Sequence, residues 1–184
     1  MRKLVILLAT IGLGYANFTQ ATEPPKCYNE GHYVVMGTAV PDDNVGTNFT
    51  IYKKAKASEK VTCPLKKNST WTIPNNEAEY YLGQKGDLLI LDSGTSEQGR
   101  SIIIWNLAQR KKIKNFPYEA SATIKGNNLV YWTRSKDKVT PQNCPNLKQF
   151  KKAGLDTAID YQELLDLKTL KVKKTTIKQC SGVS

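Results

Sequence analysis

Short apolar runs rich in Val, Ile, Tyr and Trp alternate along this chain with clusters of Gly, Asn, Asp and Ser, the pattern of strands a few residues long separated by turns. Read in this way, strands fall at 32–40, 48–53, 60–63, 71–73, 79–82, 87–91, 101–107, 112–116, 122–125, 128–134, 161–167 and 172–179. The run Gly126-Asn127-Asn128 supplies residues that tolerate the positive φ of a tight hairpin turn. One stretch breaks the period of two. Thr140-Pro141 leads into 142–153, where Leu147 and Phe150 stand three apart and Gly154 follows as a C-cap, so a short helix is predicted there, with Lys148, Lys151 and Lys152 on its outer side. The chain therefore reads as one mainly β domain of antiparallel meanders with a single helix.

The strands also repeat weakly. The stretch from Gly31 through Tyr33, Val34, Val35 and Met36 to Thr38 resembles the one from Gly86 through Leu88, Leu89, Ile90 and Leu91 to Thr95, and a third copy starts at Gly126 and runs to Val172. Units of this size with up to four strands are similar to β-propeller blades, but closed propellers use at least about four and the chain has room for about three. A partial propeller, a sandwich or a barrel of meanders is the expectation.

The N-terminus changes the picture from fold to address. Arg2 and Lys3 precede an apolar run from Leu4 to Ala16, with small residues at Ala16 and Ala21, which is the form of a secretory signal peptide over 1–21. The run is shorter than the ~20 residues that cross a bilayer, so no transmembrane span is expected, and residues 22–184 form the exported domain, secreted or periplasmic. Asn17, Asn48 and Asn68 head N-x-S/T sequons that matter only in a eukaryotic host. In an oxidising compartment the four cysteines read as two disulfides. The equal spacing of 36 residues favours Cys27 with Cys63 and Cys144 with Cys180, with two other connectivities open, among them a Cys27–Cys180 clasp. The formal charge is +11, of which Arg2 and Lys3 contribute two, so +9 survives processing.

Candidate chemistry is sparse. The segment Leu89-Ile90-Leu91-Asp92-Ser93-Gly94-Thr95-Ser96 resembles the aspartic peptidase signature, in which two carboxylates share a proton. With one copy present, that resemblance implies a homodimeric acid peptidase with Asp92 as the catalytic residue. Asp92-Ser93-Gly94-Thr95 after a strand also reads as an ordinary polar turn in which Asp92 accepts backbone hydrogen bonds. A single histidine, His32, and the absence of a Gly-x-Ser-x-Gly elbow leave no nucleophilic triad. Missing Walker and dinucleotide glycine patterns exclude an ATP or NAD cofactor, and no CxxC or paired histidines point to a metal. Asp42-Asp43 and Glu77 with Glu79 are acidic pairs of the sort glycosidases use at a fixed separation.

What remains is positive charge. Lys53-Lys54, Lys66-Lys67, Arg110-Lys111-Lys112, Lys151-Lys152 and Lys171 with Lys173-Lys174 fall at turns or strand edges. Edge lysines discourage sheet-to-sheet aggregation; they also attract anionic partners. Lys111, Lys112, Lys171, Lys173 and Lys174 sit in matching hairpins of two repeats and are candidates for one binding stripe, together with Trp71, the aromatic expected to be most exposed. The leading expectation is an exported, non-enzymatic binding module without cofactor, engaging an anionic envelope polymer, a lipid headgroup or an acidic protein rather than nucleic acid. A structural subunit of an envelope assembly is the remaining alternative.

Overall fold

The computed structural model describes residues 23–41, 44–66 and 70–183. The expected signal peptide over 1–21, with Asn17, and Asp42, Asp43, Lys67 and Asn68 lie outside these described residues.

The four strands β1 (Lys26–Glu30), β2 (Tyr33–Ala39), β3 (Thr47–Lys53) and β4 (Thr70–Ile73) form one antiparallel sheet in sequence order. The remaining strands, β5 (Glu79–Lys85), β6 (Leu88–Ser93), β7 (Arg100–Asn106), β8 (Lys111–Lys125), β9 (Asn128–Arg134), β10 (Asp156–Asp166) and β11 (Val172–Val183), form a second, seven-stranded sheet, also in sequence order. It curls into a half-barrel. The curl brings β5 against β8, three places away, where a carbon added at Gly83 would run into the end of the Ile124 side chain, so glycine eases the close approach of the two strands. Strand β8 serves two neighbours: its first half pairs with β7 up to Tyr118, and its second half pairs with β9 from Glu119, with Ala120 and Ser121 forming a bulge between. That bulge is where the strand turns the corner.

Three hairpins in the two sheets use the same turn. Gly31, Gly86 and Gly126 each stand first in a two-residue connection, with φ of +53°, +58° and +63°, the positive φ that suits the twist of antiparallel neighbours.

The apolar side chains divide into two cores that share a hairpin. On one face of β6 and β7, Leu89, Leu91 and Ile103 pack against Tyr33, Val35, Phe49, Ile51 and Ile73 of the first sheet. On the other face, Leu88, Ile90, Ile102 and Ile104 pack against Tyr118, Leu129, Tyr131 and Leu165 inside the half-barrel. Burial on both sides explains why β6 and β7 read as unbroken apolar runs.

The helix is shorter than its sequence signal: α1 is Leu147–Lys152, and 141–143 form a turn instead. Asn146 at its start makes no side-chain cap. Its end is better held, because the Gly154 and Leu155 amides donate to Lys151 and Phe150 carbonyls with Gly154 at φ +74°, a Schellman motif. Residues 60–63 are loop rather than strand, and 26–30, unassigned in the sequence reading, form β1. Cys27 is joined to Cys63 and Cys144 to Cys180. The first bridge ties β1 to the 54–66 loop; the second holds the segment before α1 against β11. Two disulfides indicate an oxidising extracytoplasmic compartment. No helix among the described residues is long and apolar enough to cross a membrane.

Candidate functional site

Asp92 stands near the end of β6, opposite Ile102 of β7, and lines a cavity of about 530 Å³ with Glu97, Gln98, Arg100, Tyr118, Arg134, Asp160 and Ser181. Its carboxylate is fully engaged within the chain. Arg100 Nε donates to Oδ1 at 2.8 Å and Nη2 to Oδ2 at 2.5 Å, the parallel pair that the guanidinium fork favours, and the Tyr118 hydroxyl donates to Oδ1 at 2.8 Å. Burial, and then its bond to Asp92, push the Tyr118 hydroxyl up to about 12. The turn reading had Asp92 accepting backbone hydrogen bonds; instead Asp92 and Ser93 are the end of β6 and the donors to Asp92 are the Arg100 and Tyr118 side chains, while Gly94 N donates to the Ala78 carbonyl and Ser93 Oγ to the Glu77 carbonyl, tying the segment to the link between the sheets.

A second charged cluster faces the same cavity. Asp160 on β10 is wholly buried and accepts from Arg134 Nε at 2.7 Å and from Ser181 Oγ. Arg134 Nη2 also donates to Glu119 at 2.9 Å. Two aspartates therefore line one cavity, each in direct contact with a guanidinium. Carboxylates that share a proton must touch each other; these touch arginines. Nothing in the sequence singled out Arg134, Asp160 or Ser181, because their partnership depends on β9, β10 and β11 lying side by side.

Of the other acidic candidates among the described residues, Glu77 is exposed and Glu79 is engaged within the chain. Glu79 is buried, and its Oε2 accepts from the Asn76 and Glu77 amides at 2.8 and 3.0 Å, closing its own loop. His32 lies exposed in the β1–β2 turn.

The basic candidates behave differently. Lys111, Lys112, Lys171, Lys173 and Lys174 are all exposed, and none is in an ion pair among the described residues, where the lysines so engaged are Lys26 and Lys178. Lys174 Nζ lies 3.5 Å from the centroid of the Tyr161 ring, with Lys178 Nζ at 4.6 Å, a cation–π arrangement. Asp137 accepts from both Lys178 and the Tyr161 hydroxyl, and those bonds hold its carboxyl below the ordinary aspartate value. The two lysine groups border one cleft, since Ile113, next to Lys112, and Val172, between Lys171 and Lys173, both line it. Trp71 differs from expectation. It is half-buried against the first core, 6.2 Å from Trp105, with the Arg110 guanidinium 5.8 Å from its ring. Its neighbours Ser69, Thr70 and Thr72 suggested exposure, but a strand alternates faces, and Trp71 and Ile73 share the inward one.

The chain matches no protein-family model, and comparison with curated proteins and with solved structures likewise found no significant match.

Proposed function

We propose that this chain is an exported binding module, secreted or periplasmic, and not an enzyme, whose basic surface at the β7–β8 and β10–β11 hairpins engages an anionic partner. The observation that supports this reading is a division of labour among the cations. Arg100 and Arg134 are spent on internal carboxylates, whereas among the described residues the exposed lysines at 111, 112, 171, 173 and 174 have no carboxylate in an ion pair. Unpaired surface charge of one sign attracts counter-charged partners and speeds their encounter.

The strand pairing supports reading the chain as three related meanders, β1–β4, β5 to the first half of β8, and the second half of β8 to β11. On that reading Lys111 and Lys112 in one unit, and Lys171, Lys173 and Lys174 in another, flank the start of the fourth strand, just after its turn from the third.

The test is retention of the oxidised protein on immobilised polyphosphate across a salt series. Wild type is expected to bind at low salt and to weaken at least tenfold when Lys171, Lys173 and Lys174 are all changed to Gln. Equal retention of the variant overturns the reading. Binding that persists near 0.5 M salt, where the Debye length is about 4 Å, marks a shaped site in addition to surface attraction.

A further inference from the structure

The cleft between the two lysine groups has a chemistry of its own. It lies in the crook made where β8 leaves β7 for β9, encloses about 530 Å³, and is walled by Ile113, Phe116, Tyr131 and Val172 with Lys114 and Glu163 as its charged members. Phe116 and Tyr131 pack with ring centroids 5.0 Å apart. The Tyr131 hydroxyl donates to Glu163 Oε2 at 2.9 Å, so the acid is engaged with its own wall. Lys114 is not engaged. It is half-buried, opposite Ile104 in the ladder, and among the described residues its ammonium makes no hydrogen bond and no ion pair. A cation lining an apolar-walled cleft favours an anion whose apolar part can lie on those walls. Val172, 51% exposed at the mouth, extends the apolar wall outward between Lys171 and Lys173.

The geometry points to a site for a single anionic amphiphile: a carboxylate or phosphate head against Lys114 and an alkyl body along Phe116, Ile113 and Val172. The inference rests on the basic-surface reading, because the flanking lysines concentrate anions at the mouth. An acidic polymer would need the lysines but not the apolar walls, and a cationic amphiphile would meet Lys114. Glu163, on the β10 side, repels an anionic head from that end and so sets the orientation; it also disfavours ligands with an acid at both ends.

The experiment is calorimetric titration of the oxidised protein with dodecanoate, dodecyl phosphate and dodecyltrimethylammonium, all below their micellar range. Expected are saturable one-to-one binding of both anions, none of the cation, and at least tenfold weaker anion binding in Lys114→Gln and in Val172→Asp, whose circular dichroism should match wild type because both sites are solvent-reached. No saturable binding by wild type overturns the inference, and so does binding that both variants leave unchanged. Capture by phosphatidylglycerol vesicles without binding of free dodecanoate overturns it too, in favour of a lipid surface. The polyphosphate test fails or succeeds separately: retention that depends on Lys171, Lys173 and Lys174 without dodecanoate binding leaves the basic-surface reading standing and removes the cleft.

Discussion

Arg100 grips Asp92 through two parallel hydrogen bonds, Nε to Oδ1 and Nη2 to Oδ2, with each side chain less than one-fifth exposed. The pair links adjacent strands β6 and β7 at the end of the half-barrel. Removing one charge strands the other in a partly dry place. Asp92→Asn is therefore expected to cost about 3 kcal/mol, and Tyr118→Phe, which removes one hydrogen bond to the carboxylate, about 1–2 kcal/mol. Urea unfolding followed by tryptophan fluorescence measures both; equal costs would mean that the hydroxyl, not the ion pair, anchors Asp92.

Alkaline pH should loosen the fold. Tyr118 is raised to about 12 by burial and by its bond to Asp92, and burial raises Tyr33, Tyr81 and Tyr131 as well. A group whose proton is held more tightly in the folded state contributes stability that is complete below its unfolded value near 10 and is lost as pH climbs through the folded value. Stability should stay level up to about pH 9 and fall between roughly 10 and 12. Tyr118→Phe should flatten part of that fall, which urea midpoints taken at pH 8, 10 and 11 would reveal.

Two glycines should tolerate alanine very differently. At Gly83 the added carbon meets only the far end of Ile124, a side chain that can turn aside, so a cost near 1 kcal/mol is expected, reduced in the double variant with Ile124→Val. Gly46 has φ +102°, and its added carbon would lie 2.8 Å from the Ala78 backbone and 2.3 Å from Asn75 Oδ1, itself the acceptor for the Glu79 amide. Gly46→Ala should cost roughly 3 kcal/mol or more. Thermal melts of the two variants give the ranking directly.

The Cys144–Cys180 bridge spans 36 residues, for which loop closure predicts about 3–4 kcal/mol. Helix α1 has only six residues and no side-chain N-cap, too short to persist without tertiary support. Cys144→Ser with Cys180→Ser should therefore lower stability by that amount and open 135–155 to limited proteolysis, while β6 and β7 remain protected. Cleavage mapping by mass spectrometry checks the location.

How much of this was legible beforehand depends on how local each cause is. The runs Leu88–Leu91 and Ile102–Ile104 announced themselves because strands buried on both faces need apolar residues at every position. Strand β1, Lys-Cys-Tyr-Asn-Glu, is an edge with only Cys27 and Tyr28 partly covered, so no apolar pattern marked it. Lys60–Cys63 has strand-forming Val and Thr, yet no neighbour offers it a ladder. Strand β8 read as two pieces because Pro117 lacks an amide proton and Ala120-Ser121 interrupts the alternation; β9 pairs only from Glu119 onward, so the proline sits where that second neighbour is absent. Lysines at turns were visible as candidates for a binding stripe, but Lys114 was not among them. Its burial follows from the crook in β8, and a register shift at Ile113 cannot be seen in a string of residues. The Arg134–Asp160–Ser181 cluster was hidden for the same reason: its members come from three strands.

The hairpin of β6 and β7 belongs to two interiors at once. Neither half of the chain owns a complete core, since the first sheet needs Leu89, Leu91 and Ile103 as its floor and the half-barrel needs Leu88, Ile90, Ile102 and Ile104 as its wall. A chain cut anywhere between residues 88 and 106 yields two fragments that each expose one side of a β ribbon to water. The molecule should therefore melt as a single cooperative unit, with its slowest amide exchange in the middle of these two strands, where both faces are buried.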